Sequence, residues 1–199
     1  MYYTIVLQCI LKGGAIMRVI TGTARSKVLL TPDGLDTRPT VARVKEGIFN
    51  AIQFDIEGRR VLDLFAGSGQ LGIEALSRGA ESAVFVDNMK KSLDCINQNL
   101  QNTNLKSKAE VVNGDFESFL LRTNKKFDIV FLDPPYYKGL IEKSAEKLFD
   151  VTSDYCTLVC ESALDDLPPD EMFGFHLKKR YRYGKVSVGI YKKSFENKE

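Results

Sequence analysis

The chain has 199 residues, 44% hydrophobic and 27% charged, with a formal net charge of +2, enough for one α/β unit with a core and a short appendage. No run approaches the roughly eighteen apolar residues that cross a bilayer; one histidine, His176, and cysteines scattered at 9, 95, 156 and 160 leave almost nothing for a metal site, a Ser-His-Asp triad or a disulfide framework, and imply a reducing, cytoplasmic setting. The charge is uneven: residues 1–60 are net +4, residues 61–175 net −8 and residues 176–199 net +6, an acidic centre for a small cationic ligand between basic ends for a polyanion.

Residues 1–16 are apolar, but they lack a basic start and Lys12 interrupts them; they read as an N-terminal extension and not as a signal peptide. From Met17 a strand-like Arg18-Val19-Ile20 opens a basic arm. Thr40 is placed to cap an amphipathic helix over 41–54, with Val44, Ile48, Ala51 and Ile52 on one stripe. Glu57-Gly58 breaks it, which closes an arm-and-helix unit at 17–58. Over 59–193 short apolar runs (61–65, 83–86, 110–112, 127–132 and 157–159) alternate with helical patterns (71–77, 90–101, 116–122 and 140–149). That alternation means βαβ units and a parallel sheet covered on both faces. Cys156 and Cys160 fall four residues apart on one strand, about 13 Å and beyond disulfide reach. Residues 177–183 and 186–191, with Gly184 between them, predict an antiparallel terminal hairpin. The expectation is a Rossmann-like, mostly parallel, seven-stranded sheet ending in that hairpin, with a tail at 194–199.

Two motifs carry chemistry. Gly67, Gly69 and Gly72 form a GxGxxG pattern between the first parallel strand and its helix, where glycines allow a sharp turn and close approach of a ligand. Asp87 ends the next strand, where a carboxylate can accept hydrogen bonds from a ribose diol. These features alone also fit a nicotinamide-binding dehydrogenase. Three others oppose it. Asp63, four residues before Gly67, would repel a pyrophosphate but attract the ammonium of a methionine moiety; Gly114-Asp115 offers an acceptor for an adenine amino group; and the dinucleotide sheet has no antiparallel hairpin.

The second motif is Asp133-Pro134-Pro135-Tyr136, at the carboxyl end of the 127–132 strand, the sheet edge at which open α/β folds bind ligands. The amino group of a nucleobase is a poor nucleophile because its lone pair is delocalised into the ring. Two acceptors on its N–H bonds, the Asp133 carboxylate and the Pro134 carbonyl, favour a pyramidal nitrogen aimed at a methyl donor. The prolines stiffen the turn, and Tyr136 is placed to stack on a flipped base.

With these motifs, Arg18-Val-Ile-Thr-Gly22, Thr37-Arg-Pro-Thr40, Arg43-Val-Lys-Glu46 with Phe49-Asn50, and Ala75-Leu-Ser-Arg-Gly-Ala80, the chain resembles the bacterial 16S ribosomal RNA guanine-N2 methyltransferases of the RsmD type from Met17 to about Tyr191. The resemblance implies an S-adenosylmethionine-dependent class I methyltransferase fold, with Asp63, Phe65, Ala66, Gly67, Gly69, Asp87, Asn88, Asp115 and Phe116 around the cofactor and no metal. It implies Asp133, Pro134 and Tyr136 at the guanine, and Arg25, Arg38 and Arg43 on the RNA. It further implies methylation of guanine 966, and as partner ribosomal RNA or an assembling small subunit, met by a monomer away from membranes. Two positions depart from the family pattern: Ala42 stands where the family has Asp, and Arg25-Ser26-Lys27 where it has Arg-Gly-Arg. A DNA adenine-N6 methyltransferase is the runner-up, weakened by the lack of a target-recognition domain. A catalytically inactive RNA-binding module is the alternative of another class.

Overall fold

A computed structural model describes residues 17–32 and 39–193. The extension at 1–16, Arg38 and the tail at 194–199 lie outside the described residues. In chain order the elements are β1 (Met17–Arg18), β2 (Val28–Leu29), α1 (Pro39–Ala51), β3 (Arg60–Asp63), α2 (Gln70–Ser77), β4 (Ser82–Asp87), α3 (Lys90–Asn102), β5 (Ala109–Asn113), α4 (Phe116–Arg122), β6 (Phe127–Leu132), α5 (Leu140–Leu148), β7 (Thr152–Ala163), β8 (Glu171–Met172), β9 (Phe175–Tyr183) and β10 (Val186–Lys193). None of the described helices is long and apolar enough to cross a membrane.

The main sheet runs β5-β4-β3-β6-β7-β10-β9-β8. Its first five strands are parallel; β10 pairs antiparallel with β7, and β9 with β10. The expected seven strands are present, and the two-residue β8 adds an eighth at the outer edge. Successive residues of the central strands face opposite cores, as period-2 geometry requires. In β6, Ile129 and Phe131 join the core under α1, α2 and α3, whereas Val130 and Leu132 join the one under α4 and α5. Burial on both faces explains why these strands read as continuous apolar runs.

Two boundaries shift. Helix α1 begins at Pro39, a residue whose fixed φ and missing N–H suit a first helical position, so Thr40 lies inside the helix and not at its cap. The helix also stops at Ala51. The chain then turns, with the Asp55 N–H donating to the Ile52 carbonyl at 2.8 Å. That turn buries Ile52 and Ile56 and leaves Phe54 93% exposed.

The arm, whose β1 and β2 pair antiparallel, is fastened to the main unit by charges that sequence patterning conceals. Glu74 on α2 is wholly buried. It accepts from the backbone N–H groups of Ile20 at 2.7 Å and Thr21 at 3.0 Å, and from Arg78 Nε at 2.8 Å. Lys45 of α1, also buried, lies 3.6 Å from Glu74 and donates to the Arg18 carbonyl at 2.6 Å. Buried Asn99 accepts from the Leu30 N–H at 2.7 Å and donates to the Leu30 and Ser68 carbonyls, both at 2.9 Å. Met17, Val19, Ala24 and Leu29 of the arm therefore share one core with β3.

Candidate active site

From β3 the chain winds outward through β4 to β5, then returns to lay β6 on the other side of β3. The chain reverses its direction across the sheet between β3 and β6, the place where open α/β sheets form a crevice at the carboxyl ends of the strands. There the structure holds a cavity of about 570 Å³. Asp63, Phe65, Ala66, Gly67, Asp87, Asn88, Asp115 and Phe116 line it together with Asp133, Pro134 and Tyr136. Gly69 is the one residue of the predicted cofactor set behind the wall. Its φ of +75° turns the chain into α2, a conformation that costs glycine little. Gly72 packs so close to β4 that a Cβ would stand 2.3 Å from the Phe85 ring.

Asp87 shapes the loop. Its carboxylate accepts from the Gly67 N–H at 2.9 Å and the Met89 N–H at 2.8 Å, so the end of β4 holds both turns that border the cavity. Phe65 and Phe116, with ring centroids 5.4 Å apart, add an aromatic wall. Asp115 is exposed and caps α4 by accepting from the Ser118 N–H at 2.8 Å; those N–H contacts hold its carboxyl below the usual range. One of its oxygens is thus engaged by the helix.

Asp63 is buried, and the Gly72 N–H at 3.0 Å is its hydrogen-bond donor. Burial, with Asp87 adding repulsion against that N–H, pushes its pKa up to about 7. A carboxylate so desolvated, with no cation against it among the described residues, is the complement of a small ammonium group.

Asp133 sits at the cavity mouth with its carboxyl raised well above the ordinary value, first by desolvation and then by Glu161 and Asp63. Tyr136 does not stand free. Its hydroxyl donates to Glu161 Oε1 at 2.9 Å, and its ring meets Tyr137 edge-on with centroids 6.4 Å apart. Tyr137 has a φ of +62°; its N–H donates to Asp166 Oδ2 at 2.5 Å and its hydroxyl to Asp165 Oδ1 at 2.9 Å. The Asp-Pro-Pro-Tyr turn is thus pinned to the segment that follows β7.

Sequence reasoning missed Glu161, which lines the cavity near the end of β7. The available signal was a single carboxylate at the carboxyl end of an apolar strand, the same signal that marked Asp63. Lys45 was missed as well: it lines the cavity, yet its ammonium is turned toward Glu74 and the Arg18 carbonyl. Arg25 and Arg43 are exposed, line no part of the cavity and have no ion pair among the described residues. Lys178, Lys179 and Arg182 of β9 add exposed positive charge.

The sequence profile described as Conserved hypothetical protein 95 matches residues 17–192. The Bacillus subtilis protein YlbH is 39% identical over 186 residues, covering 89% of this chain and 99% of that protein. Ribosomal RNA small subunit methyltransferase D of Escherichia coli is 34% identical over 183 residues, covering 91% of this chain and 92% of that enzyme. Among solved structures, the Escherichia coli protein yhhF superposes with a TM-score of 0.79 at 34% identity, over 92% of this chain and 100% of that one.

Proposed function

The chain belongs to the Conserved hypothetical protein 95 family, the RsmD family, and on that premise we propose that it transfers a methyl group from S-adenosylmethionine to the exocyclic N2 of a guanine in small-subunit ribosomal RNA, guanine 966. The observation that carries this reading is one cavity with two chemically distinct ends. On one side, at or just past the ends of β3, β4 and β5, are Asp63, Asp87 and Asp115; on the other, just past β6, is Asp133 with the Pro134 carbonyl beside it in sequence.

The donor set suits the cofactor. Asp63 lacks a counter-charge that a methionine ammonium would supply, Asp87 borders the cavity where a ribose diol needs acceptors, and Phe65 and Phe116 form an apolar wall for a flat base. When bound, S-adenosylmethionine supplies a methyl group made electrophilic by its sulfonium. The protein's own part is positional. Asp133 accepts an N–H of the target amine, which turns the nitrogen lone pair toward the methyl carbon and opposes the positive charge that develops there. The Asp133 carboxylate is also placed to take the proton that nitrogen gives up after transfer. Tyr136, its hydroxyl held by Glu161, offers a fixed ring face to the base.

The positive charge suits a polyanion. Arg25 and Arg43 are exposed on one side of the sequence, and Lys178, Lys179 and Arg182 on the other, around an acidic centre. Incubation with labelled cofactor and unmethylated small-subunit RNA or assembling particles, with unmethylated DNA offered in parallel, followed by mapping of the label, tests the proposal. Label on the guanine 2-amino group is expected. Label on DNA adenine would favour the runner-up, and cofactor-independent RNA binding without transfer would leave only a binding module.

A further inference from the structure

The side chain that the mechanism leaves without a direct task is Glu161. Strands β6 and β7 are parallel, and Leu132 pairs with Cys160. Both of those side chains enter the core beneath α4 and α5. Glu161 is the next residue of β7, and Asp133 follows the last residue of β6, so the two side chains leave that core for the opposite face. They lie near enough for Glu161 to raise the Asp133 carboxyl, and both line the cavity. Asp63 pairs with Phe131, two residues deeper along β6 than Asp133. Asp63 thus lies deeper than Asp133 and Glu161, and all three carboxylates line the cavity. Asp63 lies on the cofactor side; Asp133 and Glu161 lie toward the mouth.

We propose that Glu161 accepts the N1–H of the target base while Asp133 holds its amino group, and that this pairing selects guanine at the site. The inference rests on the amino-methyltransfer reading above and deepens it. In adenine and cytosine the exocyclic amine adjoins an unprotonated ring nitrogen, an acceptor. In guanine the 2-amino group adjoins N1–H, a donor. A wall made of two carboxylates and the Pro134 carbonyl meets guanine with complementary groups. It meets adenine or cytosine with lone pair against lone pair, and a buried acceptor left unpaired is what gives hydrogen-bonding sites their discrimination.

The donors that could have spoiled this arrangement are already committed. The Tyr136 hydroxyl donates to Glu161 Oε1, which fixes the carboxylate while no hydrogen bond reaches Oε2 among the described residues. The Lys45 ammonium is held by Glu74 and the Arg18 carbonyl. On the facing helix α1, Val44 and Ile48 present apolar surface to the cavity. Burial raises both carboxyls, and N–H donors arriving with the base favour the charged form of each.

The test sets Glu161→Gln against a small-subunit RNA in which 2-aminopurine replaces the methylated guanine. That base keeps the 2-amino group, but its N1 is an acceptor. The parent enzyme should lose about 10- to 100-fold in kcat/KM on going from guanine to 2-aminopurine, the scale of one hydrogen bond to a charged group. In Glu161→Gln the amide still accepts from Tyr136 and can donate to N1, so the preference for guanine should shrink at least about tenfold. Comparing two enzymes on the same two RNAs cancels the missing O6 of 2-aminopurine. Equilibrium binding of both RNAs without cofactor should show the same crossover. An unchanged preference in a folded variant overturns the assignment. So does a parent enzyme that takes 2-aminopurine as readily as guanine, a measurement that does not depend on the variant folding. A parent enzyme that methylates no guanine at all would overturn the amino-methyltransfer reading itself, a separate result.

Discussion

Glu74→Gln changes one proton-sized detail at the join between arm and sheet, and its cost follows from the contacts. The parent carboxylate is 0% exposed and compensates Lys45, itself 2% exposed. The amide keeps the volume but removes the charge, so a buried ammonium loses its counter-ion. Its NH2 also faces one of the two backbone donors that the carboxylate accepted, from Ile20 and Thr21. Removing one partner of a buried pair costs about 3–5 kcal/mol. In a chain of this size that is roughly 6–20 °C in Tm. Urea unfolding followed by far-UV circular dichroism reads it directly, since the chain has no tryptophan. The double variant Glu74→Gln/Lys45→Met should recover most of the loss, because it removes the stranded charge as well. The pH dependence has a fixed sign. Burial lowers the Lys45 pKa, and Glu74 is the main influence raising it back toward 10.5; without Glu74 it falls further. Between that lowered value and 10.5 the unfolded chain binds a proton that the folded protein lacks, so stability rises with pH. The deficit of Glu74→Gln should therefore narrow as the pH climbs toward 10. A loss below about 1 kcal/mol, or no recovery with Lys45→Met, would refute the account of this join.

Burial raises the Asp63 pKa from 3.8 to about 7, so its ionisation destabilises the fold as pH rises through that window. Asp63→Asn should accordingly raise Tm at pH 8 while weakening S-adenosylmethionine binding at least about tenfold by calorimetry, as for a lost charged contact; a lower Tm at pH 8 would mean that the carboxylate is compensated after all. Asp133→Asn should reduce turnover by roughly 10²–10³ and leave cofactor affinity nearly unchanged. Near-parental turnover would reduce the Asp-Pro-Pro-Tyr turn to a structural element. The Arg25→Ala/Arg38→Ala variant should bind RNA with a log–log salt slope shallower by about one to two, and equal slopes for variant and parent would place the RNA elsewhere.

Elements with strong period were legible before the structure. Four of the five parallel strands, α2 to α5 and the terminal hairpin fall within a few residues of their expected bounds, because buried strands and amphipathic helices advertise their faces; β7, expected at 157–159, runs over Thr152–Ala163. Asp63, Asp87, Asp115 and Asp133 could be singled out because each follows or ends a strand at the edge where this topology opens, and all four line the cavity. Glu74 and Lys45 were not. A lone charge inside an apolar run looks the same whether it meets water or a partner, and Glu74 bonds to backbone more than fifty residues away. Asn99 was hidden for the same reason, since its partners lie on the arm and the glycine loop. Glu161 could have been read from its place on β7, but only once β7 was known to lie beside β6 with Cys160 level with Leu132. The capping guess at Thr40 failed locally, where proline outcompeted a hydroxyl for the start of the helix.

The position of β7 between β6 and β10 also bears on how the chain is made. Cys156, Leu158, Val159 and Cys160 are buried on both faces, yet one edge of this strand is completed only by Val186–Lys193. On an elongating ribosome the glycine loop and Asp133 emerge well before the partner that seals β7. For that interval a twelve-residue strand presents unpaired backbone and apolar side chains, the form most prone to pairing with the wrong chain. The final hairpin is what closes that edge, and chains cut short before residue 186 are expected to aggregate although every residue proposed for methyl transfer is already present.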